Sequence, residues 1–212
     1  MSNTLFDKGN YKPIDRTMLA DCVNIFQKVA RLQKKYKKYD MDSFFNEIHD
    51  SMVGSFLGFE LVNTEKHGFD CKLSSDKNIY LESKVASFNV KDWTATFNDT
   101  TYEKADAFKD NRLWLALSVW ISVSEPLCIC YGQNPMIGDF LREKVDNFKD
   151  GQTVRSTQSI SFSSLVFRYG FKILTINKSP DELYTLLNAN NHAFSKLDKS
   201  SIVTLRDYHG LE

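Results

Sequence analysis

The feature that most constrains this chain is an almost unbroken apolar run at residues 113–121, Leu-Trp-Leu-Ala-Leu-Ser-Val-Trp-Ile. An apolar run without alternation is typical of a strand that is buried on both of its faces. Such a strand needs partners along its edges and other elements packed over both faces of its sheet. The run therefore predicts a central strand in a sheet that is covered on both sides.

The segments around this run predict an α+β (α/β-like) fold, with a mixed central β-sheet flanked by helices. Two helices are expected first, over residues 15–38 and 42–56, because apolar side chains recur there at helical spacing. A Ser-Pro-Asp-Glu capping box at residues 179–182 predicts the start of another helix. The segments predicted as further strands are 59–62, 69–73, 79–88, 127–131, 171–176 and 202–205.

Length and charge limit the class of protein. We expect residues 1–212 to form one domain, with an N-terminal helical region (1–40), a core segment (41–132) and a C-terminal part (133–212). Lys plus Arg and Asp plus Glu both number 27, and this balance argues against a protein that coats nucleic acid. No apolar run approaches the ~20 residues of a membrane span, and the start lacks a secretory pattern, so we expect a cytoplasmic chain without membrane contact.

Three ionisable residues near one predicted hairpin carry the chemistry. On the strand at 79–88, Glu82 and Lys84 point to the same face, because successive side chains alternate. Asp70 lies on the preceding strand, and the turn at 74–78 would bring it close to Glu82. Two neighbouring carboxylates repel each other, and a divalent cation such as Mg²⁺ relieves that repulsion. This arrangement suits hydrolysis of a nucleic-acid backbone.

The acid-x-Lys spacing is not informative by itself. It occurs twice, as Glu82-Ser83-Lys84 and as Asp70-Cys71-Lys72, which is no more than chance predicts. Glu60 with Asp70 and Lys72 is thus a rival register for the site. An exposed cross-strand ion pair without function is a further alternative.

The ordered motifs around the hairpin resemble the PD-(D/E)XK nuclease superfamily. They are Phe-Phe-Asn-Glu at 44–47, Gly-Phe-Glu-Leu at 58–61, Gly-Phe-Asp-Cys at 68–71 and Tyr-Leu-Glu-Ser-Lys-Val at 80–85. The resemblance covers about residues 40–132, with Phe69 where the family name has Pro. It implies that Asp70 and Glu82 bind Mg²⁺ (or Mn²⁺ in its place), that Lys84 positions or activates water, and that Glu47 supports the metal.

Within that superfamily a chain of this size most resembles a Type II restriction endonuclease. The resemblance implies a homodimer that cuts double-stranded DNA at a short sequence, with a cognate methyltransferase acting on the same site. Segments 87–101 and 150–164 are the expected recognition regions, and the weakly indicated DNA contacts are Lys91, Trp93, Asn98, Arg155 and Gln158. A repair or junction-cleaving nuclease and a non-catalytic DNA-binding module remain open as alternatives.

Overall fold

The computed structural model describes residues 16–37, 41–61, 69–76, 78–98, 100–148 and 157–211. The chain divides into two compact units, residues 1–46 and 47–212. The first unit contains helix α1 (Arg16–Tyr36) and the beginning of helix α2 (Met41–Leu57). Its boundary lies close to residue 40, where we expected the N-terminal helical region to end. The expectation of a single domain stays a prediction.

The second unit contains the sheets and the remaining helices. Its strands are β1 (Phe59–Leu61), β2 (Cys71–Leu73), β3 (Tyr80–Ser87), β4 (Thr94–Phe97), β5 (Leu113–Ser122), β6 (Glu125–Gly132), β7 (Gln158–Ser161), β8 (Lys172–Thr175) and β9 (Ile202–Thr204). Its further α-helices are α3 (Tyr102–Lys109), α4 (Met136–Asp146), α5 (Phe162–Phe167), α6 (Pro180–Asn190) and α7 (Leu205–His209). Short 3₁₀ helices at 192–196 and 199–201 connect α6 to β9.

A mixed seven-stranded sheet forms the centre of this unit, in the order β1-β2-β3-β5-β6-β8-β9. The pairs β3–β5 and β8–β9 are parallel, and the other neighbours are antiparallel. Helices pack on it from both sides. The predicted α+β fold with a mixed central sheet is therefore confirmed.

Strand β5 occupies the middle of the sheet and is buried along most of its length. Leu115, Leu117 and Val119 face one core cluster, whereas Ala116 and Trp120 face the other. This alternation between two apolar surroundings explains why the sequence shows no polar alternation here. The predicted central strand is confirmed.

Helices cover each face of the sheet through their apolar stripes. Val53 and Leu57 of α2 belong to one core cluster, and the buried side chains of α3, α4, α5 and α6 belong to the other. Gly138 of α4 permits close contact with α3, because an added Cβ would lie 2.5 Å from the Ala105 carbonyl oxygen. None of the described helices is long and apolar enough to cross a membrane.

Strands β4 and β7 form a separate antiparallel ribbon that the sequence did not predict. Both lie in the segments 87–101 and 150–164, which we expected to be recognition regions and for which we predicted no strand. Ala95, Phe97 and Ile160 face the core from this ribbon, and each is almost completely buried. Tertiary packing thus stabilises a pair of strands whose local sequence gives only a weak alternating pattern.

Candidate active site

The β2–β3 hairpin brings the predicted acidic residues together. Its antiparallel register pairs Cys71 with Leu81, so the next position along places Asp70 towards Glu82. Asp70 itself immediately precedes β2. The main-chain N–H of Ser83 donates a hydrogen bond of 2.7 Å to Oδ2 of Asp70. The carboxylate thus takes the place of a strand partner and is held beside β3.

Lys84 and Glu82 form an ion pair on the same face of β3. Nζ of Lys84 lies 2.6 Å from Oε1 of Glu82, and the two side chains are 22% and 11% exposed. Phe97 of β4 lies beside this pair, with its ring centre 6.0 Å from Nζ. The pair is therefore largely buried, unlike the exposed ion pair that we considered as an alternative.

The charges around Lys84 keep it protonated. Burial is the largest single influence and lowers the pKa of the Lys84 ammonium, but the charge and hydrogen bond of Glu82 together with the charges of Asp70 and Asp50 outweigh it. The pKa of Lys84 is consequently raised above its ordinary value. At neutral pH this side chain is a hydrogen-bond donor and a positive charge, not a base.

Asp70 is a carboxyl group in unfavourable surroundings. Burial raises its pKa to about 7, and the negative charges of Glu82 and Asp50 contribute in the same direction. The hydrogen bond from the Ser83 N–H and the charge of Lys84 oppose this increase but do not cancel it. A carboxylate in an ordinary ion pair would have a lowered pKa, so the surroundings of Asp70 differ from those of such a pair.

Asp50 is a residue of this site that the sequence analysis missed. Burial raises its pKa to about 6, and the charges of Glu82 and Glu47 also raise it. Asp50 follows Glu47 by three positions on α2, so the two acids lie on the same side of the helix. That spacing is visible in the sequence and could have identified Asp50 once Glu47 had been selected.

The close approach of α2 to β2 explains why Asp50 lies near Asp70. The Cys71 thiol donates a hydrogen bond of 3.4 Å to the Asp50 carbonyl oxygen. Gly54 lies one turn further along α2, and a Cβ added there would be 2.9 Å from the Cys71 sulfur. The absence of a side chain at residue 54 therefore allows the acidic side of the helix to approach the hairpin.

Ser83 contributes a buried hydroxyl as well as its main-chain N–H. The hydroxyl lies near Asp50 and lowers its pKa. Among the described residues, however, this hydroxyl has no partner that meets full hydrogen-bond geometry. Most buried polar atoms are hydrogen-bonded, so the Ser83 hydroxyl retains capacity for a further partner.

The rival register receives less support from the electrostatics. Glu60 and Lys72 lie opposite each other on β1 and β2, and Lys72 pairs with Tyr80 on β3. Neither Glu60 nor Lys72 is among the groups that shift the pKa of Asp70. The charges that act on Asp70 come from Glu82, Asp50 and Lys84.

The weakly predicted DNA contacts are distributed differently from our expectation. Trp93 lies in the core, where it is 4% exposed, donates from Nε1 to the Phe88 carbonyl oxygen and packs edge-on against Phe162. Its burial removes the indole from any surface that DNA could reach. Lys91 and Asn98 are exposed at the two ends of β4.

The remaining two predicted contacts lie on or before β7. Gln158 is half-buried on this strand, opposite Phe97 of β4. Arg155 lies outside the described residues.

Comparison with known proteins does not assign a family. No family model matches the chain. Over 115 residues it is 28% identical to the signal recognition particle receptor FtsY of Mycoplasma mycoides subsp. mycoides SC. This match covers 51% of the chain and 27% of the receptor, so the chain spans about a quarter of the length of that relative.

The donor chemistry of the site fits a hard divalent cation. Within the described ranges, no three His, Cys, Asp or Glu side chains are already arranged to hold a metal ion. Oδ2 of Asp70 accepts a hydrogen bond from the Ser83 N–H, and Oε1 of Glu82 accepts one from Nζ of Lys84. Carboxylate oxygens are the ligands that Mg²⁺ prefers, and a cation would stabilise the ionised Asp70 against the burial and the neighbouring negative charges that raise its pKa.

Proposed function

We propose that this chain is a Mg²⁺-dependent endonuclease that hydrolyses phosphodiester bonds of double-stranded DNA. The observation that carries the proposal is the buried group formed by Asp70, Glu82 and Lys84, in which one carboxyl has a pKa near 7. Surroundings that destabilise a charged group are seldom retained for stability alone. The site is thus better explained by chemistry than by folding.

Asp70 and Glu82 would hold the metal ion, and Asp50 and Glu47 would support it from α2. Mn²⁺ has the same preference for oxygen ligands and could replace Mg²⁺. When bound, the ion polarises the phosphodiester and lowers the pKa of an attacking water. The Ser83 N–H holds the Asp70 carboxylate beside β3, because it donates a hydrogen bond to one of its two oxygens.

Lys84 would act as a cationic hydrogen-bond donor. Its raised pKa keeps the ammonium charged at neutral pH, so it can orient a water molecule or stabilise negative charge on the phosphate. If Glu82 held the cation, the Lys84 Nζ would no longer need its 2.6 Å contact with Oε1 of Glu82 and could donate to substrate. The ion pair thus keeps Glu82 and Lys84 close to the positions where each would act.

Sequence-specific restriction cleavage is the finer form of the proposal. It rests on the resemblance to Type II enzymes, and it includes a homodimer, since each subunit of a two-fold dimer can cut one strand of a symmetric site. A methyltransferase that modifies the same sequence would protect the DNA of the host cell. It need not bind this chain.

Supercoiled plasmid DNA provides the test of the proposed function. We expect the purified chain to convert it, with Mg²⁺ but not with EDTA, into a small set of discrete linear fragments. A continuous smear would contradict restriction-type specificity. Failure to cut under varied salt and divalent ions would contradict nuclease activity. Preferred cutting of branched over linear duplexes would favour junction cleavage instead.

A further inference from the structure

A pocket of about 420 Å³ lies at one end of the central sheet. Three neighbouring strands line it, with Trp114 on β5, Tyr131 on β6 and Lys172 on β8. Tyr131 and Lys172 are directly opposed in the antiparallel register, so their side chains share one face of the sheet. Helix α7 adds Asp207 and Tyr208 to the lining. The volume falls in the range of small-ligand sites.

Helix α7 is held against the end of α2, which keeps this side of the pocket in place. The Tyr208 hydroxyl donates a hydrogen bond of 3.0 Å to the Leu57 carbonyl oxygen. Nε2 of His209 lies 2.9 Å from the Phe56 carbonyl oxygen. The pocket is therefore bounded by elements that are already packed together, and a ligand would not have to order them.

Three aromatic rings supply most of the apolar surface of the pocket. The ring planes of Trp114 and Tyr131 differ by only 8°, and their centres are 6.4 Å apart. Tyr208 is edge-on to Tyr131, with ring centres 5.2 Å apart and an angle of 88° between the planes. Rings in two perpendicular orientations can contact both the face and the edge of a planar ligand.

The hydroxyl of Tyr131 indicates that the ligand has a polar edge. Tyr131 is only 6% exposed, yet among the residues that the structure describes its hydroxyl has no hydrogen-bond partner. Burial raises the pKa of this hydroxyl to about 12, so it remains a donor at neutral pH. A buried Tyr hydroxyl usually has a partner, and here a ligand acceptor in the pocket can provide one.

The two charged residues of the pocket have opposite signs. Lys172 is exposed on β8, and Asp207 is exposed on α7. Oδ2 of Asp207 accepts hydrogen bonds from Thr204, which hold the pKa of this carboxyl below its ordinary value. A cationic group is therefore disfavoured by Lys172 and an anionic group by Asp207. A neutral group that carries both donors and acceptors on its edge can use both side chains.

We infer that the pocket lined by Trp114, Tyr131 and Tyr208 binds a single unpaired nucleobase, with Lys172 and Asp207 at its polar edge. A nucleobase is planar and neutral, stacks on aromatic side chains, and carries donors and acceptors around its rim. A mononucleotide and a single-stranded nucleic acid both offer such a base. In a duplex the base faces are covered by neighbouring bases.

This base pocket is separate from the proposed metal site. The parallel register pairs Trp114 with Leu81, so its side chain points to the face of the sheet that Leu81 shares. Glu82 and Lys84 alternate with Leu81 along β3 and point to the other face. The inference therefore goes beyond the proposed nuclease function and does not require it.

Calorimetric titration of the full chain in EDTA tests the base pocket without any cleavage. The probes are the four nucleoside monophosphates and a short single-stranded oligonucleotide of mixed sequence. We expect at least one of them to bind, and Tyr208→Leu to weaken that binding by about tenfold or more, because a stacking ring is lost. Tyr208→Phe retains the ring and should bind like the wild type.

A second substitution tests the polar edge through an exposed side chain, where a change does not endanger folding. Lys172→Gln should weaken binding by about tenfold, since a charged hydrogen-bond donor is lost. Lys178→Gln is the matched control, because Lys178 is exposed just after the same strand and outside the pocket. It should leave the affinity unchanged. Melting temperatures of all variants establish that each is folded.

The probes also distinguish the source of the base from other ligands. Binding of a monophosphate indicates a free nucleotide, whereas binding of the oligonucleotide alone indicates a base within a strand, and either result supports the inference. Ribose 5-phosphate and an abasic strand of the same length are the comparison probes. Equal binding of these would show a sugar-phosphate site and overturn the inference. It is also overturned if no probe binds, or if Tyr208→Leu and Lys172→Gln both bind like the wild type.

Discussion

The main-chain N–H of Ser83 donates a hydrogen bond of 2.7 Å to Oδ2 of Asp70. This bond holds a carboxylate against β3, where burial and the charges of Glu82 and Asp50 raise its pKa to about 7. The hydrogen bond fixes the position of a group that its surroundings destabilise when it is charged.

Replacing Asp70 with Asn should stabilise the metal-free protein and abolish cleavage. The amide oxygen of Asn can still accept from the Ser83 N–H, but the variant has no buried charge. We expect a stabilisation on the order of 2 kcal/mol at pH 8, since a raised carboxyl pKa costs folding free energy above the pKa of the unfolded chain. Chemical denaturation with EDTA present measures it.

Asp76→Asn is the matched control for that substitution. Asp76 is exposed in the β2–β3 turn, where its side chain accepts from the Asn78 N–H, and an amide oxygen can replace that acceptor. Asp76→Asn should change the free energy of unfolding by no more than about 0.5 kcal/mol. Equal stabilities of the wild type and Asp70→Asn at pH 8 would show that Asp70 is not destabilised.

The pH dependence of metal-free stability should follow from the same carboxyl group. Between about pH 4 and pH 7 the folded protein retains a proton on Asp70 that the unfolded chain has released. Stability therefore falls as pH rises through this window and levels off above it. Denaturation curves at pH 5 and pH 8 should show a larger fall for the wild type than for Asp70→Asn. A fall in stability of the same size in the wild type and in Asp70→Asn would show that Asp70 does not cause this pH dependence.

Binding of Mg²⁺ should have the opposite dependence on pH. The ion needs ionised carboxylates, so below pH 7 it must displace the proton from Asp70. We expect the apparent affinity to weaken by up to about tenfold per pH unit below pH 7. Calorimetric titration at pH 6 and pH 8, with ionic strength held constant, measures this. An affinity that does not change with pH, or that survives in Asp70→Asn, would contradict metal binding at this carboxyl.

Asp50 should matter more than Glu47 for activity. Asp50 acts on the pKa of Asp70, whereas Glu47 acts on that of Asp50 and is not among the groups that shift Asp70. Replacing Asp50 with Asn should lower the cleavage rate by about 10- to 100-fold, as is usual for groups that orient metal ligands. Glu47→Gln serves as the comparison and should have a smaller effect. A larger loss for Glu47→Gln would show that Glu47, not Asp50, is the more important acid of α2.

Lysine substitutions distinguish the two registers of the hairpin. Lys84→Ala should lower the cleavage rate by about 10²- to 10³-fold, because a preorganised positive charge is lost from the site. Lys72→Ala on the neighbouring strand should leave the rate nearly unchanged. Single-turnover cleavage of a linear duplex measures both. The reverse pattern would place the active site at Glu60, Asp70 and Lys72.

Much of the fold follows from local sequence patterns. The apolar run at 113–121 specified a central strand because both of its faces needed apolar partners, and the structure pairs it with β3 and β6. The Ser-Pro-Asp-Glu capping box at 179–182 likewise specified the start of α6. Such patterns can be recognised locally, because the residues that form the pattern also make the stabilising contacts.

Other parts of the fold could not be predicted because they depend on distant partners. β4 and β7 are separated by 60 residues, and each becomes a strand by pairing with the other. Trp93 lies in a polar stretch of sequence, yet Phe88 and Phe162 enclose it in the core. Neither partner can be inferred from the residues that immediately surround Trp93.

The candidate site shows the same division between local patterns and distant contacts. Asp70, Glu82 and Lys84 could be selected because one hairpin contains them all. Asp50 enters from α2 through a close approach at Gly54 and Cys71, which is a property of packing. Its spacing from Glu47 was a usable signal, but only the contact between helix and hairpin distinguishes the two acids.

A mapped digest of DNA of known sequence, performed with the wild type and Glu82→Gln, tests the central claim most directly. Glu60→Gln is the matched control, because Glu60 is an exposed acid on β1 of the same sheet. We predict that the wild type and Glu60→Gln cut at the same sequence with Mg²⁺, whereas Glu82→Gln does not cut. Equal cutting by Glu82→Gln, or no cutting by the wild type, would contradict the claim that this hairpin is the active site of a nuclease.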